Sequence, residues 1–218
     1  MKKYFALALG ALICIATGCS GHESSPSGEK PTPEPQNDIP APDIITGTIE
    51  MADGGMITFE LYPNIAPQSV RNFVHLARQG FYDGLTFHRI LIGFMVQGGC
   101  PDGSGAGNPG YAIFGEFEDN GFDNSLGHNR GVMSMARGGH DYNSAGSQFF
   151  ICHGNPMHLD GKYAAFGVVT SGMDVVDAIA ETPVLDGNGK VAPGDMPVIK
   201  SITIDGDFFL PEPDKLPR

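Results

Sequence analysis

The sequence has no tryptophan, only four cysteines, and few basic residues: 13 Lys and Arg stand against 25 Asp and Glu over 218 residues, a formal net charge of −12 at pH 7. A surplus of negative charge repels phosphate backbones and anionic lipid headgroups. We therefore expect no nucleic-acid partner, and we interpret the acidic surface as a feature that favours solubility.

The apolar run nearest the N-terminus, residues 4–15, is too short to span a bilayer comfortably. It follows Lys2 and Lys3, and a charged start before a short apolar run is typical of a secretory signal. The run leads into Ala16-Thr17-Gly18-Cys19, which resembles a bacterial lipobox. We therefore predict that residues 1–18 are a lipoprotein signal peptide and that Cys19 becomes the lipidated N-terminus; a plain cleaved signal is the alternative.

A lipid anchor at Cys19 predicts a location on a membrane of the bacterial cell envelope. The residue after Cys19 is Ser20 and not Asp, which resembles the outer-membrane sorting pattern of some Gram-negative lipoproteins. The sequence leaves open whether the folded part stands in the periplasm or at the cell surface.

Two cysteines remain after the predicted processing, Cys100 and Cys152. An exported compartment permits a disulfide between them. Cys152 ends an apolar run that reads as a buried strand, whereas Cys100 is predicted to begin a glycine-rich loop. We expect two free thiols, with a bridge as the alternative.

Composition divides the remaining chain into three parts. Residues 19–43 combine the lipidated cysteine with a Pro- and Ser-rich segment that has almost no large apolar side chain, so we predict a disordered tether. Residues 44–206 form the predicted folded domain, and residues 207–218 the predicted C-terminal tail.

The 31 glycines and 17 prolines indicate many tight turns and favour a β-rich fold. Alternating runs flank Asp53-Gly54, which predicts a hairpin with a two-residue type I′ turn. Apolar spacing predicts helices at residues 67–79 and 173–179. Further strands are predicted at residues 86–90, 94–97, 132–136, 148–152, 165–169 and 198–204. Together these elements predict a mainly β fold, a closed eight-stranded antiparallel β-barrel capped by two α-helices.

One stretch, Phe87-His88-Arg89-Ile90 through Phe94-Met95-Val96-Gln97, holds the candidate chemistry. Alternation on two short strands joined by a turn at Gly93 brings Arg89, Gln97 and either Phe94 or Met95 near one another. From these residues alone, a core strand with a surface arginine is the favoured interpretation.

Three further motifs accompany this stretch, in order: Met133-Ser134-Met135-Ala136, Gly146-Ser147-Gln148-Phe149-Phe150-Ile151 and Leu159-Asp160-Gly161-Lys162-Tyr163-Ala164-Ala165-Phe166-Gly167. The set resembles the signature of the cyclophilin family over nearly all of residues 44–205. The resemblance implies a peptidyl-prolyl cis-trans isomerase that needs no metal and no cofactor.

The resemblance also implies roles for single residues. Arg89 corresponds to the catalytic arginine, with Gln97 and Phe94 beside it. The implied substrate-binding residues are Met95, Ala136, Arg137, Gln148, Phe150, His158, Leu159 and Tyr163. Within that set His158 stands where cyclosporin-sensitive members carry Trp, which predicts weak cyclosporin binding, and Tyr163 stands where many members have a histidine.

The expected function is therefore acceleration of X-Pro bond rotation in exported polypeptides, which assists their folding. The expected partners are proline-containing polypeptides and, through Cys19, a membrane; we expect a monomer. A peptide-binding or chaperone module with little turnover is the alternative, and a purely structural envelope lipoprotein is a third. The spacing of His140, His153 and His158 matches no common metal motif, so we expect no metal site.

Overall fold

The computed structural model describes residues 40–218. The predicted signal peptide, Cys19 and the tether up to residue 39 lie outside the described residues. The strands are β1 Ile45–Met51, β2 Met56–Leu61, β3 Thr86–Leu91, β4 Met95–Cys100, β5 Val132–Met135, β6 Phe149–Cys152, β7 Ala165–Ser171 and β8 Ile199–Ile204. The helices are α1 Pro67–Arg78 and α2 Met173–Ala180. Neither helix is long and apolar enough to cross a membrane.

All eight strands belong to one antiparallel sheet in the order β3-β4-β6-β5-β7-β2-β1-β8. This confirms the predicted mainly β fold with two helices. Full closure was overstated: the sheet curls into a half-barrel whose edge strands β3 and β8 share no ladder. The isolated bridge Thr86–Val198, just before β8, and the backbone bonds between residues 84–87 and 197–199 connect the two edges. Pro197 precedes that bridge and has no N–H to donate, which prevents a continuous ladder there.

Buried and more exposed residues alternate along the strands, and the buried ones form the inner face of the sheet. On β1 the buried residues are Ile45, Gly47, Ile49 and Met51, and the residues between them are more exposed. Helix α1 contributes Phe73, whose ring contacts four other core aromatics at centroid distances of 5.2 to 5.8 Å. These four are Phe59, Tyr82, Phe149 and Phe166. The core therefore lies between α1 and the concave side of the sheet.

Two local predictions differ from the structure. The β1–β2 hairpin has a three-residue loop, closed by bonds from Gly54 N to Met51 O and from Met51 N to Gly55 O, so the two-residue turn was wrong. Strand β4 continues to Cys100, which the sequence placed at the start of a loop. The glycines before Cys100 are strand residues at close backbone contacts: a Cβ on Gly99 would lie 2.5 Å from the Ser147 carbonyl oxygen.

The start of α1 is held by a buried carboxylate from a distant loop. Glu116 accepts bonds from the backbone N–H groups of Gln68 and Ser69 at 2.7 and 2.8 Å, and from the Ser69 hydroxyl at 2.8 Å. An anion at a helix N-terminus is favoured by the helix dipole, although burial raises the pKa of Glu116. This contact fixes α1 against the loop that leads into β5.

Residues 207–218, which we term the C-terminal arm, pack along the domain. Phe208 is buried, and its carbonyl accepts a 3.0 Å bond from Arg78 of α1. Further along, Leu216 and Ala112 exchange two backbone hydrogen bonds of 2.8 and 3.0 Å. These contacts bring the last residues of the arm next to Ala112 and Ser144.

Candidate active site

Arg89 and Gln97 face each other across the β3–β4 ladder. The turn between these strands contains Gly93 at a positive φ of 77°, a backbone conformation that favours glycine. Arg89 Nη1 donates to Gln97 Oε1 at 3.3 Å and lies 3.9 Å from the sulfur of Met95. The structure thus brings together the arginine, the amide and the thioether that the sequence placed on these strands.

A second contact fixes the other side of the Arg89 guanidinium. Its Nε donates a 2.9 Å bond to the carbonyl oxygen of Asn188. Asn188 lies in the hairpin 184–191, which runs beside β3 through bonds from Ile90 N to Gly189 O and from Val191 N to His88 O. No local sequence pattern marks this hairpin as part of the site, because the contact joins residues 99 positions apart in the chain.

Two glutamines continue the network away from Arg89. Gln97 Nε2 donates to Gln148 Oε1 at 2.9 Å, and Gln148 Nε2 donates to the carbonyls of Gly105 and Gly107 at 3.0 and 2.8 Å. The chain of amides therefore connects the arginine to the glycine-rich loop after β4. Because each amide has both a donor and an acceptor engaged, the side chains are held in one orientation.

A cavity of about 110 Å³ opens beside Arg89, and we term it the apolar cavity because six of its nine lining residues are apolar or aromatic. Its lining consists of Arg89, Phe94, Met95, Gln97, Ala136, Arg137, Phe150, Leu159 and Tyr163. Met95, Phe150 and Leu159 are buried and form its inner wall. Among these lining residues none is a carboxylate, an imidazole or a thiol, so the cavity offers hydrogen-bond donors and apolar surface but no ordinary general base.

The remaining predicted residues lie around this cavity. His158 is not part of its lining; its ring stacks on Phe94 with the centroids 5.5 Å apart. The Arg137 guanidinium lies over the rings of Tyr163 and Tyr142, 4.6 and 4.9 Å from their centroids. It also donates to the carbonyl oxygen of Lys162 at 2.9 Å. Stacking and main-chain contacts therefore fix the Arg137 side chain as part of the cavity lining.

The inner wall is supported by a polar residue, His128, that the sequence motifs do not include. His128 is buried and stacks against Phe150 with the centroids 6.0 Å apart. Its Nδ1 lies 2.8 Å from Asp160 Oδ1, and its Nε2 lies 3.0 Å from the Ser134 hydroxyl. Burial lowers the pKa of His128, with the Asp160 carboxylate opposing that shift. His128 lies outside every motif quoted above, so no sequence signal marked it.

A second cavity, of about 270 Å³, adjoins the first and shares Gln97, Ala136 and Arg137 with it. It is lined also by Gln148, by the glycine-rich loop 105–108, and by residues 144–147 except Ala145. The last residue of the C-terminal arm, Arg218, belongs to this lining and donates from Nη2 to the Ser144 carbonyl at 2.7 Å. The arm therefore contributes directly to the surface next to the apolar cavity.

No cysteine or histidine lines either of these two cavities. Cys100 and Cys152 are both buried free thiols, as expected. They lie far apart along β4: Cys100 is the last residue of that strand, whereas Cys152 of β6 pairs with Met95 at its start. Burial raises the pKa of the Cys152 thiol to about 12. Among residues 40–218, no group of three His, Cys, Asp or Glu side chains is arranged to hold a metal ion.

Comparisons with known proteins agree with this geometry. A family model described as cyclophilin type peptidyl-prolyl cis-trans isomerase/CLD matches residues 46–204. The chain is 52% identical over 129 residues to peptidyl-prolyl cis-trans isomerase B of Bacillus subtilis, covering 59% of this chain and 86% of that protein. It is 47% identical over 134 residues to a peptidyl-prolyl cis-trans isomerase of Helicobacter pylori, covering 61% and 78%.

A solved structure shows the same fold. The crystal structure of a Cryptosporidium parvum cyclophilin type peptidyl-prolyl cis-trans isomerase, in the presence of the dipeptide Ala-Pro, aligns with a TM-score of 0.65 and 31% identity. The alignment covers 74% of this chain and 99% of that one. The match at residues 46–204 includes every residue that lines the apolar cavity.

Proposed function

Because the chain belongs to the cyclophilin-type peptidyl-prolyl cis-trans isomerase family, we propose that the substrate's proline ring occupies the apolar cavity and that Arg89 donates a hydrogen bond to the prolyl nitrogen. The observation that carries this assignment is the position of the Arg89 guanidinium. It lines the cavity while Asn188 and Gln97 hold it from two sides.

The chemistry requires a donor of this kind. Rotation about an X-Pro bond has a barrier of about 18 to 20 kcal/mol, because the nitrogen lone pair is delocalised into the carbonyl. In the twisted transition state the lone pair is localised on nitrogen and accepts a hydrogen bond well. Arginine suits this role since it stays charged and does not act as a competing base. A donor that binds the twisted state better than the planar one lowers the barrier.

The other residues have holding roles in this proposal. Phe94, Met95, Phe150 and Leu159 grip the proline ring, and Ala136 and Tyr163 complete the wall around it. Gln97, the main chain of Arg137 and the side chain of Gln148 hold the flanking peptide. With both sides fixed, rotation takes place about a single bond in a partly dehydrated cavity.

The test is exchange NMR of a short Xaa-Pro peptide, which interconverts unaided over about 10 to 100 s. We expect Arg89→Ala to lower the catalysed rate on the order of a hundredfold, the usual effect of losing one transition-state donor. Arg71→Ala is the matched control, since Arg71 lies on α1 and lines neither cavity. Equal rates for wild type and Arg89→Ala would overturn the role of Arg89. Peptide binding without acceleration by the wild type would support a binding module instead.

The cellular setting is a proposal from the sequence. We infer that the isomerase works outside the cytoplasm on exported polypeptides, as a monomer tethered to the bacterial envelope through lipidated Cys19. The supporting features are the charged and apolar start, the lipobox-like Ala16-Thr17-Gly18-Cys19, and the Pro- and Ser-rich residues that follow. Ser20 favours the outer membrane. Folding assistance in that compartment then follows from the slowness of unassisted proline isomerisation.

Inhibition of lipoprotein signal peptidase tests the anchor. Globomycin is expected to cause accumulation of the unprocessed precursor in cells that express the full chain. Cys19→Ser is expected to abolish lipid incorporation, whereas Cys14→Ser, which changes a cysteine within the predicted signal, leaves it intact. Normal processing under globomycin would support the plain cleaved signal.

A further inference from the structure

His153 joins the turn between β3 and β4 to helix α2. Its Nδ1 accepts a 2.7 Å bond from the backbone N–H of Gly93, and its Nε2 lies 3.0 Å from Asp177 Oδ1. A backbone N–H only donates, so Nδ1 must present a lone pair, and the proton of the neutral ring is then on Nε2. His153 is therefore an acceptor toward the turn and a donor toward the helix.

The contacts around His153 hold its ring in place. Arg130 donates from Nη2 to both carboxylate oxygens of Asp177, at 2.6 and 2.8 Å, and from Nη1 to the carbonyl oxygen of His153 at 2.7 Å. The hydrogen bonds from Arg130 lower the pKa of the Asp177 carboxyl, which therefore stays ionised opposite Nε2. The side chain of His153 is only 15% exposed. Nδ1 is thus held facing Gly93.

The bond from Gly93 acts on the central peptide of a turn. Phe94 N donates to Leu91 O at 2.9 Å, which closes a β-turn over residues 91–94. Gly93 is the third residue of this turn and has a φ of 77°. Turns with a positive and with a negative φ at the third residue differ mainly by rotation of the peptide between the second and third residues. Because the N–H of Gly93 belongs to that peptide, the imidazole stabilises one of the two turn forms.

The turn leads directly into the wall of the apolar cavity. Phe94 lines that cavity and stacks on His158. Its carbonyl oxygen accepts bonds from the backbone N–H groups of His153 and Gly154 at 3.0 and 3.2 Å. Those bonds do not depend on the side chain of residue 153, so the imidazole adds control over the turn alone. A change in φ at Gly93 redirects the chain just before Phe94.

We propose that His153 is a positioning residue for the isomerase: by accepting from Gly93, it keeps the turn in the form that places Phe94 against the substrate's proline ring. This inference rests on the proposed seating of proline in the apolar cavity. If the turn alternated between two forms, only the fraction of molecules in the competent form would bind substrate, and KM would rise in inverse proportion to that fraction. The value of kcat would change little, because other contacts hold Arg89.

The experiment compares His153→Asn with His153→Leu in the full chain. The two new side chains have nearly the same shape and both lose the contact with Asp177, but only Asn presents an oxygen where Nδ1 accepts from Gly93. We expect His153→Leu to raise KM for an Xaa-Pro peptide about three- to tenfold, the usual effect of one lost hydrogen bond, with kcat within about twofold of wild type. We expect His153→Asn to retain most of the wild-type KM. His75→Leu is the matched control, since the side chain of His75 on α1 is 22% exposed and lines neither cavity.

Hydrogen exchange measures the state of the turn independently of catalysis. Gly93 is exposed to solvent, so the bond to His153 is what protects its N–H from exchange. We expect this amide to exchange on the order of tenfold faster in His153→Leu than in the wild type or in His153→Asn. If His153→Leu did not fold, His153→Gln would take its place, because its amide extends to the position of Nε2 and leaves no acceptor at Nδ1.

Equal KM values for His153→Asn and His153→Leu would overturn the inference. Equally slow exchange of the Gly93 amide in the two variants would overturn it as well. In both cases, acceleration by the wild type would leave the proposed seating of proline intact. If the wild type accelerated no peptide, the proposed function itself would fail, and the positioning role would fail with it.

Discussion

Arg89 and Asn188 are joined by a 2.9 Å hydrogen bond from the guanidinium Nε to the main-chain carbonyl, although 99 residues separate them in sequence. The position of Arg89, the candidate catalytic residue, therefore depends on a hairpin whose own side chains have no role in the proposed reaction. Because the acceptor belongs to the backbone, the hairpin conformation, and not the identity of residue 188, sets the position of the arginine.

The first prediction follows from the shape of that hairpin. Gly189 has a φ of 82°, and a Cβ there would lie 2.2 Å from the Ile90 carbonyl oxygen. Gly189→Ala is expected to displace the hairpin, release Arg89 and lower kcat/KM by about tenfold, mainly through kcat. Gly187→Ala is the matched control, because a Cβ at Gly187 meets no atom within 4 Å. Equal kinetics for the two variants would contradict the positioning role.

The second prediction concerns the amide chain that ends at the glycine-rich loop. Gln148→Leu removes the acceptor for Gln97 and the donor for the carbonyls of Gly105 and Gly107. We expect kcat/KM to fall by about tenfold, equivalent to roughly 1.4 kcal/mol of transition-state binding. Peptide kinetics measure the effect, with Gln79→Leu at the exposed end of α1 as control. An unchanged rate would remove Gln148 from the holding group.

The third prediction is a pH dependence of stability. Burial lowers the pKa of His128 in the folded state, whereas an unfolded histidine titrates near 6.5. The unfolded chain then binds more protons as the pH falls below about 6.5, so the free energy of unfolding decreases, by at most about 1.4 kcal/mol per pH unit. Urea denaturation at several pH values measures this slope.

The variants His128→Asn and His140→Asn isolate the contribution of His128. His128→Asn is expected to flatten the pH slope between about pH 7 and 5.5, while His140→Asn, at an exposed loop residue, retains it. His88 is also buried, and burial lowers its pKa, so part of the slope remains in both variants. Identical slopes for the wild type and His128→Asn would rule out the contribution of His128.

The fourth prediction concerns cyclosporin. His158 stacks on Phe94 at the edge of the apolar cavity, where the resemblance to cyclosporin-sensitive cyclophilins implies a tryptophan. His158→Trp is expected to strengthen inhibition by cyclosporin about tenfold, because an indole N–H supplies one further hydrogen bond and more apolar contact. His140→Trp controls for a surface tryptophan in general. No gain in inhibition by His158→Trp would show that another residue limits cyclosporin binding.

The sequence predicted the parts of the site that depend on local order. Strand alternation on either side of Gly93 was enough to place Arg89 beside Gln97, and the family motifs supplied Phe150, Leu159 and Tyr163. The sequence did not predict Asn188, His128 or Arg218, because each reaches the site through contacts between segments far apart in the chain. The two-residue period of a strand indicates which side chains share one face of that strand. It does not indicate which loop from elsewhere in the chain covers that face.

Strand β3 lies at an edge of the sheet, and its outer backbone groups are occupied by the hairpin 184–191 and by the residues leading into β8. An exposed edge pairs readily with any extended chain that approaches it. A protein that handles unfolded polypeptides meets such chains at every turnover. By pairing with part of this edge, the hairpin leaves fewer free backbone groups to which an extended chain can add as an extra strand. The segment that contacts Arg89 therefore also limits unwanted pairing at the edge of the sheet.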